Sequence, residues 1–260
     1  MDGDFRPTRY PVILVHGINV RDGRSHFYWG RIPEALRENG VRVYLGGQDA
    51  WGTVAGNASQ LKETVLRALE ENQCGKVNFI AHSKGGLDVR YLVSRSGMAA
   101  HTASVTTLST PHRGSLTAKW MAEQRLLSPY GACSNRFWGL LGDEAPRFRE
   151  SMRELSAEGS EAFNRQCPDR PGVFYQSWGA RLAGSRHDPL MAAFAAVCRP
   201  LDGETDGMVS PASAEWGLYR GTLERVSHHD LVDAARRDLP HFRPCDFYLR
   251  IVRELAGQGF

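Results

Sequence analysis

The chain is expected to fold as an α/β protein of three layers, a mostly parallel sheet with helices on both faces and a helical insertion. Three features carry that expectation. Short continuous apolar runs alternate with helix-like segments over the first 115 residues, the alternation breaks over 116–170, and it then resumes. Strands buried on both faces read as unbroken apolar runs, and strand–helix repeats close into parallel sheets through right-handed crossovers. A length of 260 residues suits one domain, 1–260, with a sizeable core and a cap insertion at about 116–170.

Each element has its own signal. "PVILV" (11–15) is a doubly buried strand; helix-like "RIPEALREN" leads into the strand-like "NGVRVYLGG" (39–47). Asn57-Ala-Ser-Gln60 resembles a capping box, and Leu61, Val65, Leu66 and Leu69 mark a helical stripe behind it. "KVNFI" (76–80), a helix over 84–95 and "SVTTLST" (104–110) continue the alternation. Residues 116–170 form helical segments rich in Trp, Phe, Met and Leu. "GVFYQSW" (172–178) restores the sheet, and a closing amphipathic helix carries Phe247, Tyr248, Ile251, Val252 and Leu255 to a stop near Gly257.

The bulk numbers exclude several classes. A net charge of +3, from Lys and Arg scattered without a run, offers no nucleic-acid surface. The longest apolar stretches, such as "MAAFAAV" (191–197), are too short to span a bilayer, and "MDGDFRPTRY" has no apolar signal core. Neither observation assigns a compartment or an oligomeric state. Five cysteines (Cys74, Cys133, Cys167, Cys198, Cys245) are odd in number, widely spaced and without a CxxC pair, so they are expected as reduced thiols.

The chemistry concentrates in "VNFIAHSKGGLDVR" (77–90), where a strand runs into Ser83 and a helix follows. A serine projecting from so tight a turn needs small residues two before and two after it, here Ala81 and Gly85. This is the nucleophile-elbow pattern G-x-S-x-G with Ala in the first position. The turn aims the N–H groups of the helix start at a developing oxyanion, so the Lys84 N–H is one candidate donor. The Lys84 side chain is expected to be solvated, with depression of the serine pKa as the alternative. His16-Gly17 ends the first strand; Gly17 permits a sharp turn, the Ile18 N–H is the second candidate donor, and His16 is expected to pack. A serine needs a base and an orienting carboxylate, which follow it in the order Asp, His on this architecture. In "PLDGETDGMVS" Asp206 is preferred and Asp202 is expected as an exposed turn residue. "RVSHHDLVD" offers His228 and His229, and spacing does not choose between them. His26, His101, His112, His187 and His241 lack the required position after the acid.

These residues resemble those of bacterial family I triacylglycerol lipases, the Pseudomonas-, Proteus- and Geobacillus-like group of α/β-hydrolases. The likeness lies in "YPVILVHGI", "WGRIPEALRENG", "KVNFIAHSKGGLDVRY", "SVTTLSTPHRGS", "TDGMVS", "SHHDLVD" and "CDFYLRIVREL", from residue 10 to 256 in the right order; 116–170 matches only loosely. The resemblance implies Ser83 as nucleophile, Asp206 as acid, His228 as base, and Ile18 and Lys84 as oxyanion-hole donors; His112 would shape its loop. It also implies structural Ca2+ on Asp188, Asp230 and a carbonyl near Asp238, a donor set of hard oxygens that would pin the histidine loop. Ala234 stands where some relatives supply an amide oxygen, and no GxDxD-type loop supports the ion. No cofactor is expected for the chemistry itself.

The implied reaction is two-step acyl transfer from a lipid or other ester to water. Trp120, Met121, Leu126, Leu127, Phe137, Trp138, Leu140 and Leu141 would line an acyl groove or form a lid with transient contact to a lipid interface. Plain helix packing is the alternative. Short soluble esters, thioesters or acyl transfer to an alcohol would use the same machinery, and an inactive binding scaffold is the reading outside enzymes. The intact Ser83, Asp206 and His228 argue against the last.

Overall fold

The computed structural model describes residues 6–19, 21, 28–123 and 128–260, with the backbone alone at 128–130. His26, Leu126 and Leu127 lie outside the described residues. Six strands form one sheet in the order β2 (Val43–Leu45), β1 (Val12–Val15), β3 (Val77–His82), β4 (Thr102–Leu108), β5 (Phe174–Arg181), β6 (Leu218–Glu224), and every adjacent pair is parallel. Alternate side chains of each strand reach opposite faces. Val12, Leu14 and Ile80 meet Trp29, Ile32, Leu36, Tyr248 and Ile251, covered by α1 (Ile32–Glu38) and α10 (Pro244–Gly257). Ile13, Val15 and Phe79 meet Leu61, Val65, Val89 and Leu92 of α2 (Val54–Glu71) and α3 (Gly85–Arg95). Both faces are therefore dry, which is why these strands read as apolar runs.

Several boundaries differ from expectation for local reasons. Helix α2 starts at Val54, because Thr53 accepts the Gly56 N–H; Asn57 sits buried inside the helix rather than capping it. The stripe uses Ala68, and Leu66 faces solvent. β5 runs to Arg181 rather than ending at 178. Strand β6, helix α8 (Pro189–Asp202) and the short α9 (Pro211–Ala214) were not anticipated at all. The break in alternation is α4 (Leu116–Glu123), α5 (Ser128–Leu140), α6 (Phe148–Glu154) and α7 (Ala157–Gln166), which intervene between β4 and β5. No helix among the described residues is long and apolar enough to cross a membrane, and all five cysteines are unpaired.

Candidate active site

The carboxyl ends of β1 and β3 meet where strand order reverses, since β1 has β2 on one side and β3 on the other. In open parallel sheets such a switch point leaves a crevice. Ser83 sits there immediately after β3, with φ at +55°, a left-handed conformation that a non-glycine residue holds only under constraint. The constraints are present: the Ser83 N–H donates to Leu108 O at 2.9 Å, and Ser83 O accepts from Thr110 Oγ1 at 2.7 Å and Gly86 N at 3.1 Å. A Cβ on Gly85 would lie 2.3 Å from His16 O and 2.6 Å from Val15 O, and one on Gly17 would lie 2.7 Å from Ser83 Cβ. The two glycines thus let the elbow and the loop after β1 come together. Among the described residues, neither the Ile18 nor the Lys84 N–H is taken by an acceptor.

Asp206 and His228 arrive from the loops after α8 and β6. His228 Nδ1 lies 2.8 Å from Asp206 Oδ2, and the His228 N–H donates to Asp206 O at 2.9 Å. Asp206 Oδ1 accepts from the Met208 and Val209 N–H groups, each at 2.9 Å. The carboxylate is fully buried and held by three partners, so it fixes Nδ1 as the protonated ring nitrogen and leaves Nε2 as an acceptor. His229, the open alternative, turns to Asp188 instead, with Nδ1 3.2 Å from Oδ2. In this conformation the Ser83 hydroxyl has no hydrogen-bond partner among the described residues. It shares a cavity of about 120 Å³ with Ile18, Tyr28, His82, Met208 and His228.

His82 and Tyr28 were not singled out by sequence. Tyr28 Oη accepts the Gly17 N–H at 2.7 Å and lies 2.6 Å from His82 Nδ1, so one phenol joins the loop after β1 to the elbow. The His82 ring stacks at 4.2 Å from that of His228, and burial, then the neighbouring His228, push its pKa well below the usual imidazole range. His16 packs as expected, buried with Nε2 3.0 Å from Gln48 O. His112 is also buried, bracing its loop through Thr107 Oγ1 at 2.9 Å.

On its other side Ser83 opens into a second cavity of about 140 Å³ lined chiefly by Trp51, Met121, Phe148, Met152, Phe194 and Met208. Of the expected cap residues that are described, only Met121 lines it. Trp138 packs against the cluster beneath, while Trp120, Phe137, Leu140 and Leu141 face solvent. Phe148, Met152 and Phe194, which do line it, were missed; α6 and α8 bring them in. A wider cleft of about 600 Å³ on the cap, lined by Lys119, Arg149 and Arg153 among others, includes none of the site residues.

Two expectations are corrected. Lys84 is not solvated: its Nζ lies 2.7 Å from Asp88 Oδ1 with both side chains buried. Asp202 is not an exposed turn residue but caps α4, accepting from Leu116 N at 2.8 Å, Thr117 N at 3.0 Å and the Ser115 and Thr117 hydroxyls. The two carboxylates of the expected calcium set have other partners. The Asp188 and Asp230 carboxylates are each met by an imidazole, His229 at 3.2 Å and His187 at 2.6 Å. Among the described residues no group of three or more His, Cys, Asp or Glu is arranged to hold a metal ion.

Residues 11–123 match the family described as "Putative serine esterase (DUF676)". A triacylglycerol lipase of Pseudarthrobacter phenanthrenivorans is 33% identical over 289 residues, covering 88% of this chain and 90% of its own. One of Pseudomonas fragi is 29% identical over 288 residues, covering 97% and 98%. The crystal structure of Staphylococcus hyicus lipase is similar at a TM-score of 0.76 and 16% identity, over 99% of this chain and 98% of that one, a likeness of fold. The sheet order and these likenesses make the fold that of an α/β-hydrolase. At one-third identity over nearly its whole length, the chain belongs to the triacylglycerol lipase family.

Proposed function

We propose that the chain is a serine hydrolase of carboxylic esters, with acylglycerols as its substrate class, acting through Ser83, His228 and Asp206. The observation that carries this reading is the 2.8 Å contact between His228 Nδ1 and Asp206 Oδ2, with His228 and Ser83 facing one cavity. His228 Nε2 takes the Ser83 proton as Oγ attacks the ester carbonyl, and Asp206 stabilises the imidazolium. The Ile18 and Lys84 N–H groups receive the oxyanion. Collapse expels the alcohol, protonated by His228, and leaves an acyl-Ser83 ester. Water, deprotonated by His228, then releases the acid. The apolar cavity beside Met121, Phe148 and Met152 suits the acyl chain, and the His228 side suits the departing alcohol. Within the family we place the chain in the Pseudomonas-, Proteus- and Geobacillus-like group, as one domain over 1–260 with its cap at about 116–170. Exposed Trp120, Phe137, Leu140 and Leu141 on that cap favour a lipid surface over soluble esters.

A fluorophosphonate probe should label the wild-type protein and leave Ser83→Ala unlabelled; no labelling of a folded wild type would sink the reading. A chain-length series of p-nitrophenyl esters, run through each substrate's solubility limit, separates the lipid preference from a short-ester or thioester activity.

A further inference from the structure

We infer that His187 is a positioning residue for the catalytic base, holding the His228 loop in place through a staple of side-chain hydrogen bonds that needs no metal ion. The inference rests on the role proposed above for His228. It starts from where the neighbours of that residue are tied. His187 Nε2 lies 2.6 Å from Asp230 Oδ2, the same oxygen that accepts the Ser227 N–H at 2.7 Å. With the proton on Nε2, His187 Nδ1 accepts from Ser185 Oγ at 2.6 Å, which sets the ring. Ser227 Oγ donates to Asp188 Oδ2 at 2.9 Å and accepts the Asp230 N–H at 3.1 Å. His229 Nδ1 also faces Asp188 Oδ2, at 3.2 Å. Residues 227, 229 and 230, on both sides of the base, are thus fastened to the short segment 185–188.

That segment is itself rigid. Asp188 Oδ1 accepts the Met191 N–H at 3.0 Å and so caps α8, and Arg237 donates to His187 O at 2.9 Å. Helix α8 leads directly to the loop that carries Asp206. The staple therefore joins the base loop to the start of the helix whose far end delivers the acid, and it fixes the partners of the 2.8 Å His228–Asp206 contact from both sides.

A hard cation is a poor occupant of this cluster. Ca2+ takes six to eight oxygens at 2.3–2.6 Å. Here two imidazole nitrogens face the Asp188 and Asp230 carboxylates, the two side chains expected to hold the ion. Imidazole N–H groups supply the tie that a divalent ion would otherwise make.

The test uses the full chain. Its melting temperature should be the same in EDTA and in millimolar CaCl2. A rise of about 5 °C or more with calcium, reversed by EDTA, would overturn the inference, since saturating occupancy of a native-state site stabilises by that order. His187→Ala should lower kcat on a soluble ester about 10- to 100-fold with KM unchanged, and slow fluorophosphonate labelling in parallel. His187→Gln, which keeps a side-chain N–H for Asp230, should restore most of the rate and remains informative if the Ala variant does not fold. Wild-type kcat in His187→Ala, or equal impairment of both folded variants, would also overturn it. A wild type that neither hydrolyses nor labels would refute the proposed function, while the calcium response would still decide the metal-free staple.

Discussion

Lys84 Nζ lies 2.7 Å from Asp88 Oδ1, and each side chain is only 1% exposed. The residue beside Ser83 is therefore neutralised one turn away, rather than acting as a free cation on the serine. Asn57 of α2 donates to Asp88 Oδ2 at 2.9 Å and to Asp49 O at 3.0 Å, so the pair is also hydrogen-bonded from a second helix. Burial raises the Asp88 pKa and the Lys84 ammonium opposes that rise.

Removing one partner of such a pair leaves an uncompensated buried charge. Asp88→Ala is expected to cost about 3–5 kcal/mol in urea unfolding. The double variant Lys84→Met, Asp88→Leu should recover most of that loss, because a well-packed apolar pair of similar volume is close to neutral. A single variant as stable as wild type would mean that the ammonium reaches water.

Asp206→Asn tests the carboxylate separately from the fold. The amide can still accept the Met208 and Val209 N–H groups, so the loop should hold. Its NH2 facing His228 Nδ1 would favour the wrong tautomer, and kcat should fall about 10⁴-fold. Steady-state hydrolysis of a short ester, with circular dichroism to confirm folding, measures it. A loss below tenfold would remove Asp206 from the mechanism.

The expectations held where a single physical cause controls the residue pattern. Strands β1 and β3 are buried on both faces, so their apolar runs are visible in sequence. Edge strand β6 has half-exposed side chains and a glycine, and no periodicity announces it. The elbow was legible because sterics alone demand Ala81 and Gly85. Lys84–Asp88 carried a signal in its i, i+4 spacing. Asp202, His187 and the Phe148–Met152–Phe194 wall carried none, since their partners come from segments tens of residues away. Family likeness suggested calcium on two carboxylates and a carbonyl, and it carried no signal of the neighbouring His187 and His229 that face those carboxylates.

The helical segment between β4 and β5 is clamped at one end. Asp143 accepts the Ala50 and Trp51 N–H groups at 3.0 Å each, while Asp49 accepts those of Glu144 at 3.0 Å and Ala145 at 2.8 Å. Ser151 Oγ adds contacts to Trp51 O and Gly52 O at 3.1 and 3.0 Å. The wall at Phe148 and Met152 is thereby held to the core. Asp143→Ala should destabilise by about 2–3 kcal/mol, since it leaves two buried N–H groups unpaired. Limited proteolysis of that variant should gain cuts between 143 and 154, and an unchanged digest would refute the clamp.

Stability should fall on mild acidification because of two histidines outside the chemistry. Burial holds the pKa of His82 and His112 well below 6.5; His228 and His229 add to the effect at His82, and Arg90 and Arg113 at His112. Arg90 Nη1 faces His112 Nδ1 at 3.2 Å, which leaves Nε2–H to donate to Thr107 Oγ1 and suits the neutral ring. Both rings stay neutral when folded and protonate near 6.5 when unfolded, so below that pH the unfolded chain binds more protons. Their contribution is fully present above pH 6.5 and is lost as pH falls. One unit below, each costs about 1.4 kcal/mol. Burial raises the Asp143 and Glu154 pKa values, which works in the opposite direction but mainly at lower pH. Urea unfolding at pH 7.5 and 5.5 should therefore differ by about 2–3 kcal/mol, and His112→Gln should roughly halve that difference. A pH-independent free energy over this range would show that both imidazoles take up protons in the folded state, which the dry surroundings of His112 do not permit.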